Sequence, residues 1–277
     1  MNIKGFSALI LLLVVPLLAG VLFVASNNYS PFGQVEEGAK EDLAGIQQRV
    51  GSNVSWQFGQ TNKTWQAIGV PPSCPESLTF PAPADVKLAS SVLYPGQIRG
   101  GDYKPHGGFR FDGQGNSIDV YAPMDGNLFQ AARHPTNGEI QYVLYFINDC
   151  GIAYKLDHLL EVTEKFSKII EKIPMGGEGD SRTTGVEPPV FVAKGEHVAT
   201  KVGLELTKNV FFDFGVYDLR KRNGVDYSDK NYYNVEQYAM HATCWLDNLE
   251  EPHKSVALSL PGADSQSGKT SDYCKRR

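Results

Sequence analysis

The sequence predicts a mostly β, antiparallel domain with one inserted helix, preceded by an N-terminal transmembrane helix. Short apolar runs rich in β-branched and aromatic residues recur between turn signals from Val86 to Tyr217. Only one convincing helical pattern interrupts them: Leu160, Phe166, Ile169, Ile170 and Ile173 recur at helical spacing. Gly5 to Ala25 carry no charge, and a helix of that length spans about 30 Å, enough to cross a bilayer.

Residues 1–4 form a cytoplasmic stub and 5–25 the anchor or signal segment. The apolar run exceeds the length usual for a cleaved signal, so an uncleaved anchor is expected, although cleavage after Ser26 stays open. Lys4 on the short side, with little positive charge after the span, places the bulk of the chain outside the cytoplasm. Residues 26–84 read as a stalk, with a short helix near Asp42–Val50 and a Pro-rich extended arm from Gly69 to Pro83. Asn28, Asn53 and Asn62 open Asn-x-Ser/Thr triplets, which serve equally as glycan acceptors or as plain polar loop.

The β domain is expected over residues 85–220. Its strands are Val86–Leu93, Phe109–Phe111, Ser117–Ala122, Asn127–Ala132 and Glu139–Asn148, the last paired with Gly151–Leu156 across a tight turn. The helix, Leu160 to Ile173, stops at Pro174 and Gly176-Gly177. After a Gly-rich charged loop come Val190–Ala193, Val198–Val202 and a final strand, Asn209–Tyr217. Residues 221–254 form a C-terminal extension with a short helix near Val235–Leu249, and 255–277 a disordered polar tail.

A net charge of −5 leaves no nucleic-acid footprint, and the basic run that ends the sequence, Lys275-Arg276-Arg277, carries only three charges. Four cysteines, Cys74, Cys150, Cys244 and Cys274, suit an exported chain with two disulfides in any of three connectivities. None stands in a Cys-x-x-Cys pair, which disfavours a thiolate zinc site.

The chemistry concentrates in Lys104-Pro105-His106-Gly107-Gly108-Phe109-Arg110-Phe111-Asp112 and in the apolar run Ile118 to Gly126, which ends in an Ala-Pro-x-Asp-Gly turn. A histidine before two glycines and a short aromatic strand is what a metal site near a sheet edge looks like. Together the two runs resemble the lysostaphin/LytM-type zinc endopeptidases of cell walls, the duplicated hybrid motif family, over about residues 88–218. The resemblance implies an antiparallel β fold and a zinc ion held by a His and an Asp of the first motif and by the second His of a late His-x-His strand. One coordination position stays open for an attacking water.

Carried onto this chain, the resemblance makes His106 the first ligand and His158, in Asp157-His158-Leu159, an assisting acid or base. Each reads equally as a loop or helix-start histidine without chemistry. Arg110 stands where the family has its aspartate, and a guanidinium cannot coordinate zinc. Asp112, two residues on, shares its face and can serve only if a bulge slips the register by two. The late motif reads Phe211-Phe212-Asp213-Phe214, so Phe211 removes a helper histidine while Asp213 offers a carboxylate ligand. The opposite charges of Arg110 and Asp213 raise one specific expectation, a bridge filling the former zinc position. His134, His197, His241 and His253 are expected at the surface and Trp245 in the core.

The favoured expectation is therefore a membrane-anchored, extracytoplasmic, catalytically degenerate LytM-like protein. It would use no cofactor and bind an envelope polymer or a protein partner. The first alternative is an active zinc peptidase using His106, Asp112 and Asp213, with His158 as acid or base. The second is a stalked structural ectodomain.

Overall fold

The computed structural model describes residues 54–232, 235–263 and 268–274. The anchor at 5–25, the helix at 42–50, Asn28 and Asn53 lie outside them. Among the described residues, no helix is long and apolar enough to cross a membrane.

The chain is mostly antiparallel β. It opens with a hairpin, β1 (Ser55–Gly59) and β2 (Thr64–Ile68), inside the stretch expected to be stalk. Period-2 alternation is short there, but Trp56, Phe58 and Trp65 give the hairpin an aromatic face. Asn62 sits exposed in its turn. Next come β3 (Ser91–Leu93), β4 (Gln97–Arg99), β5 (Asp102–Lys104), β6 (Gly107–Arg110) and β7 (Val120–Tyr121). The long strands β8 (Gly126–Thr136), β9 (Glu139–Ile147) and β10 (Ile152–Val162) lead to helix α1 (Glu164–Ile170). β11 (Thr184–Val192), β12 (His197–Val202) and β13 (Phe211–Asp218) complete the strands. Two 3-10 turns, Ala239–His241 and Trp245–Asn248, precede helix α2 (His253–Ser259).

Nine strands form one sheet in the order β11-β8-β9-β10-β13-β6-β3, with β12 joining β10 and β7. α1 is shorter than its periodicity predicts. Leu159 to Val162 pair with β12 instead of winding, so the ladder captures what would be the first helical turn. The tail also departs from expectation. Residues 253–259 form α2, and Cys274 is buried in a disulfide with Cys244.

The sheet has two unlike faces, set by side-chain alternation along its central strands. Phe109, Phe212, Phe214, Leu156, Tyr154, Phe146 and Leu144 point into the main core, with Phe166 and Ile170 of α1. Trp245 packs there as expected, with its ring 5.2 Å from that of Phe109 and 5.3 Å from that of Phe214. Alternate residues point the other way. At one end of that face, Val143, Tyr145, Ala153 and Tyr217 form a smaller apolar cluster with Trp65 and Tyr238. At the other end the same face turns polar.

The disulfides join Cys74 to Cys150 and Cys244 to Cys274, leaving no free cysteine. The first pins the Pro-rich arm to the turn between β9 and β10. Two such bridges suit an oxidising compartment.

Candidate functional site

The polar end of the sheet is the floor of a cleft of about 350 Å³. Its geometry follows from strand register. Asp213 of β13 lies directly opposite Gly108 of β6 on one side and Asp157 of β10 on the other. One step along, Lys155 lies opposite Gly215 and, across the next ladder, opposite Tyr145. Gly108 has no substitute here, because an added Cβ would sit 2.2 Å from the Phe212 carbonyl oxygen. Gly215 is constrained less severely, by side chains: its Cβ would lie 2.7 Å from the Tyr217 hydroxyl and 2.9 Å from the His106 Cβ.

His106 Nε2 is 3.0 Å from Asp213 Oδ2, with both residues buried. Burial pushes the imidazole down to about 4, Lys155 adds to the effect, and Asp213 opposes it. The ring is therefore neutral near pH 7 and donates through Nε2, while its buried Nδ1 has no hydrogen-bond partner. Burial raises the Asp213 carboxyl, but its pairing with His106, with His158 and Arg99 beyond it, outweighs this and holds the acid well below the usual range.

Lys155 is the unexpected resident. It is 7% exposed, its Nζ lies 2.7 Å from Asp157 Oδ2, and its ammonium sits 5.8 Å from the Tyr145 ring centre. Burial alone would lower its pKa, yet the Asp157 carboxylate more than reverses this, so the amine stays charged. Burial likewise raises Asp157, and Lys155 and His158 bring it down to about 2. The second Asp157 oxygen accepts the His158 backbone N–H at 2.6 Å.

His158 sits where β10 leaves β13 and turns to β12, at a register break between Leu156 and Leu159. Its φ of +59° is the left-handed conformation, which a side chain adopts only where surrounding structure enforces it. Its Nε2 is 3.9 Å from Asp213 Oδ2, and its Nδ1 lies 3.3 Å from Gln141 Oε1. The Phe211 ring centre is 4.4 Å from that of His158.

Three of the four expected site residues thus meet: His106, His158 and Asp213. Asp112 does not join them. The β6–β13 register runs unbroken from Phe211↔Arg110 to Phe214↔Gly107, so no slip by two occurs, and Asp112 lies beyond the strand end. There it takes hydrogen bonds from Arg110 (2.8 Å) and the Ser90 hydroxyl (2.9 Å). The Arg110–Asp213 bridge is not formed either. Arg110 bonds Asp112 and, at 2.9 Å, Asn209 Oδ1, while Asp213 bonds His106. Neither Arg110 nor Asp112 lines the cleft.

Sequence reasoning missed Lys155, Asp157 and Gln141. The signal was present in Tyr154-Lys155-Leu156-Asp157, where two opposite charges alternate with core residues on a central strand. His134 and His241, expected at the surface, are 3% and 4% exposed. His134 lines the cleft, and His241 bonds the Lys221 carbonyl at 2.8 Å. The His253 Nδ1 accepts the Ala82 N–H, while His197 is half-buried beside Tyr121.

One donor atom each from Asp157, His158 and Asp213 lie within 4.8 Å of one another, a grouping that could hold a metal ion. The surroundings do not suit zinc. Both Asp157 oxygens are engaged, one of them by an ammonium that would repel a divalent ion at the same carboxylate. Comparison with protein-family models finds no match, and none of the curated proteins matches the chain.

Proposed function

We propose that this chain is an extracytoplasmic, membrane-anchored protein with a degenerate LytM-type domain, whose cleft binds a segment of envelope polymer without cutting it. One observation carries the reading. Of the three positions that the resemblance makes zinc ligands, only His106 and Asp213 reach the cleft, and they are hydrogen-bonded to each other. Arg110, at the third, is turned away to Asp112 and Asn209. Two protein donors fall short of the three that a hydrolytic zinc site uses.

The cleft still has the features of a binding groove. Carboxylates, a buried ammonium and His158 line its floor, and Tyr232, Asn231, Thr136 and Thr183 supply rings, an amide and hydroxyls at its sides. Such a mixture suits a polar chain that carries amides and hydroxyls. The closeness of Asp157, His158 and Asp213 favours a second reading, a zinc hydrolase with a variant ligand set.

The test incubates purified full-length chain with soluble glycan-peptide fragments of bacterial envelope. Binding is read by calorimetry, cleavage by mass spectrometry, and metal content by elemental analysis. Saturable binding that weakens in His158→Ala, with fragments intact and no bound zinc, supports the proposal. Fragment cleavage that stops on chelation overturns it in favour of the second reading.

A further inference from the structure

We propose that Lys155 is a built-in counterion that takes the place of a divalent metal in this cleft and keeps the Asp157–His158–Asp213 cluster metal-free. The inference deepens the metal-free reading above and rests on it.

Asp157 and Asp213 face each other in register on a buried part of the sheet. Like charges placed so are destabilising unless a positive group lies between or beside them. The groups near the pair are few. His106 is a neutral hydrogen-bond donor to Asp213, and His158 stands 3.9 Å from the same oxygen. Arg110 is committed to Asp112 and Asn209, while Arg99, bonded to the carbonyls of Tyr94 and His106, keeps its charge and acts on Asp213 from a distance.

The positive side chain in direct contact with the pair is the Lys155 ammonium, 2.7 Å from Asp157 and as buried as its partner. Its cross-strand neighbour is Gly215, whose missing side chain leaves space that Tyr217 and His106 fill. The Tyr145 ring on the next strand flanks the ammonium. An ammonium is a compact monovalent charge able to bond a carboxylate that would otherwise coordinate a metal. A divalent ion on Asp157, His158 and Asp213 would have to share a carboxylate with it. Removing the ammonium leaves the two carboxylates and an imidazole nitrogen in place, which is a chemically ordinary zinc donor set.

The experiment compares zinc binding by the unmodified chain, K155M, K155Q, K155R and K155M/D213N, each stripped with chelator and titrated with zinc by calorimetry. K155M and K155Q are expected to bind one zinc per chain, at least about 100-fold more tightly than the unmodified chain. K155R is expected to stay metal-free, and K155M/D213N to lose the gain. Thermal midpoints should rise with zinc in K155M and not in the unmodified chain.

Folded K155M and K155Q with no gain in zinc affinity would overturn the inference while leaving the binding-cleft reading intact. Failure of both to fold, with zinc or without it, would also count against it, since metal then cannot stand in for the ammonium. Tight zinc in the unmodified chain, lost in D213N, would overturn both.

Discussion

Asp157 stands directly across from Asp213 in the ladder between β10 and β13, two buried carboxylates on one face of the sheet. The fold keeps both charged by giving each its own partner: Lys155 for Asp157, and His106 for Asp213. A central strand that places Lys and Asp two residues apart can close such a pair without help from any other element.

Asp157→Asn is expected to destabilise the chain by roughly 3 kcal/mol, because it strands a buried ammonium instead of merely deleting a contact. The double variant K155M/D157N should lose less than the two single variants summed, as the buried charge leaves with its partner. Urea unfolding of the four proteins in this cycle checks it. Strict additivity would mean that the two side chains act independently.

Stability should also depend on pH through His106. An unfolded histidine titrates near 6.5, whereas the folded ring is held at about 4. Between those values the unfolded chain carries a proton that the folded chain refuses. The contribution is therefore complete above about pH 6.5 and is lost as pH falls toward 4, by about 3 kcal/mol in all. Below that, Asp157 adds a second loss as it protonates through about pH 2. Unfolding free energies at pH 7 and pH 4.5 should differ less in His106→Gln, which keeps a donor but does not titrate in this range, than in the unmodified chain; the loss that remains comes from His241, which burial also holds below its usual range.

Most strands of the main sheet were legible in the sequence as short β-branched or aromatic runs between turn signals, whereas the β1–β2 and β4–β5 hairpins were not. Glu139 to Asn148 differs from the observed β9 by one residue. The site was half legible. His106, His158 and Asp213 stand out because residue type and motif coincide, and the ladders do bring them together. What local pattern could not show was where β10 changes partners. That break sets His158 at φ +59° and turns Leu160–Val162 from helix to strand. The fate of Arg110 was hidden for a related reason. Its choice between Asp112 and Asp213 depends on Asn209 and Ser90, which approach only once β13 and β3 flank β6.

Gly215→Ala probes the packing that lets the polar floor exist. Its added methyl would meet the Tyr217 hydroxyl at 2.7 Å and the His106 Cβ at 2.9 Å, both on buried side chains with little room to yield. A loss of about 1–3 kcal/mol is expected from this overpacking. The His106–Asp213 contact should loosen as well. Nitrogen-15 NMR of the imidazole would show a His106 titration moving upward from about 4 as the ring gains solvent. An unchanged titration would mean that the strands simply part by a few tenths of an ångström.

Arg110→Asp supplies the residue type that the resemblance to LytM-type enzymes would put at this position, and the geometry predicts that this alone does not create a zinc site. Position 110 lies opposite Phe211, one same-face step along the sheet from Asp213, so a carboxylate there would lie near enough to help. The exposed Arg110–Asp112 pair that it sacrifices contributes at most about 1 kcal/mol, and the chain should stay folded. Lys155 would still hold Asp157, however, and its charge would still disfavour a divalent ion on the cleft floor. Zinc titration of R110D should therefore match that of the unmodified chain, while R110D/K155M should bind zinc more tightly than K155M alone. Zinc bound by R110D with Lys155 in place would show that the lack of a carboxylate at position 110, and not the resident ammonium, is what keeps metal out.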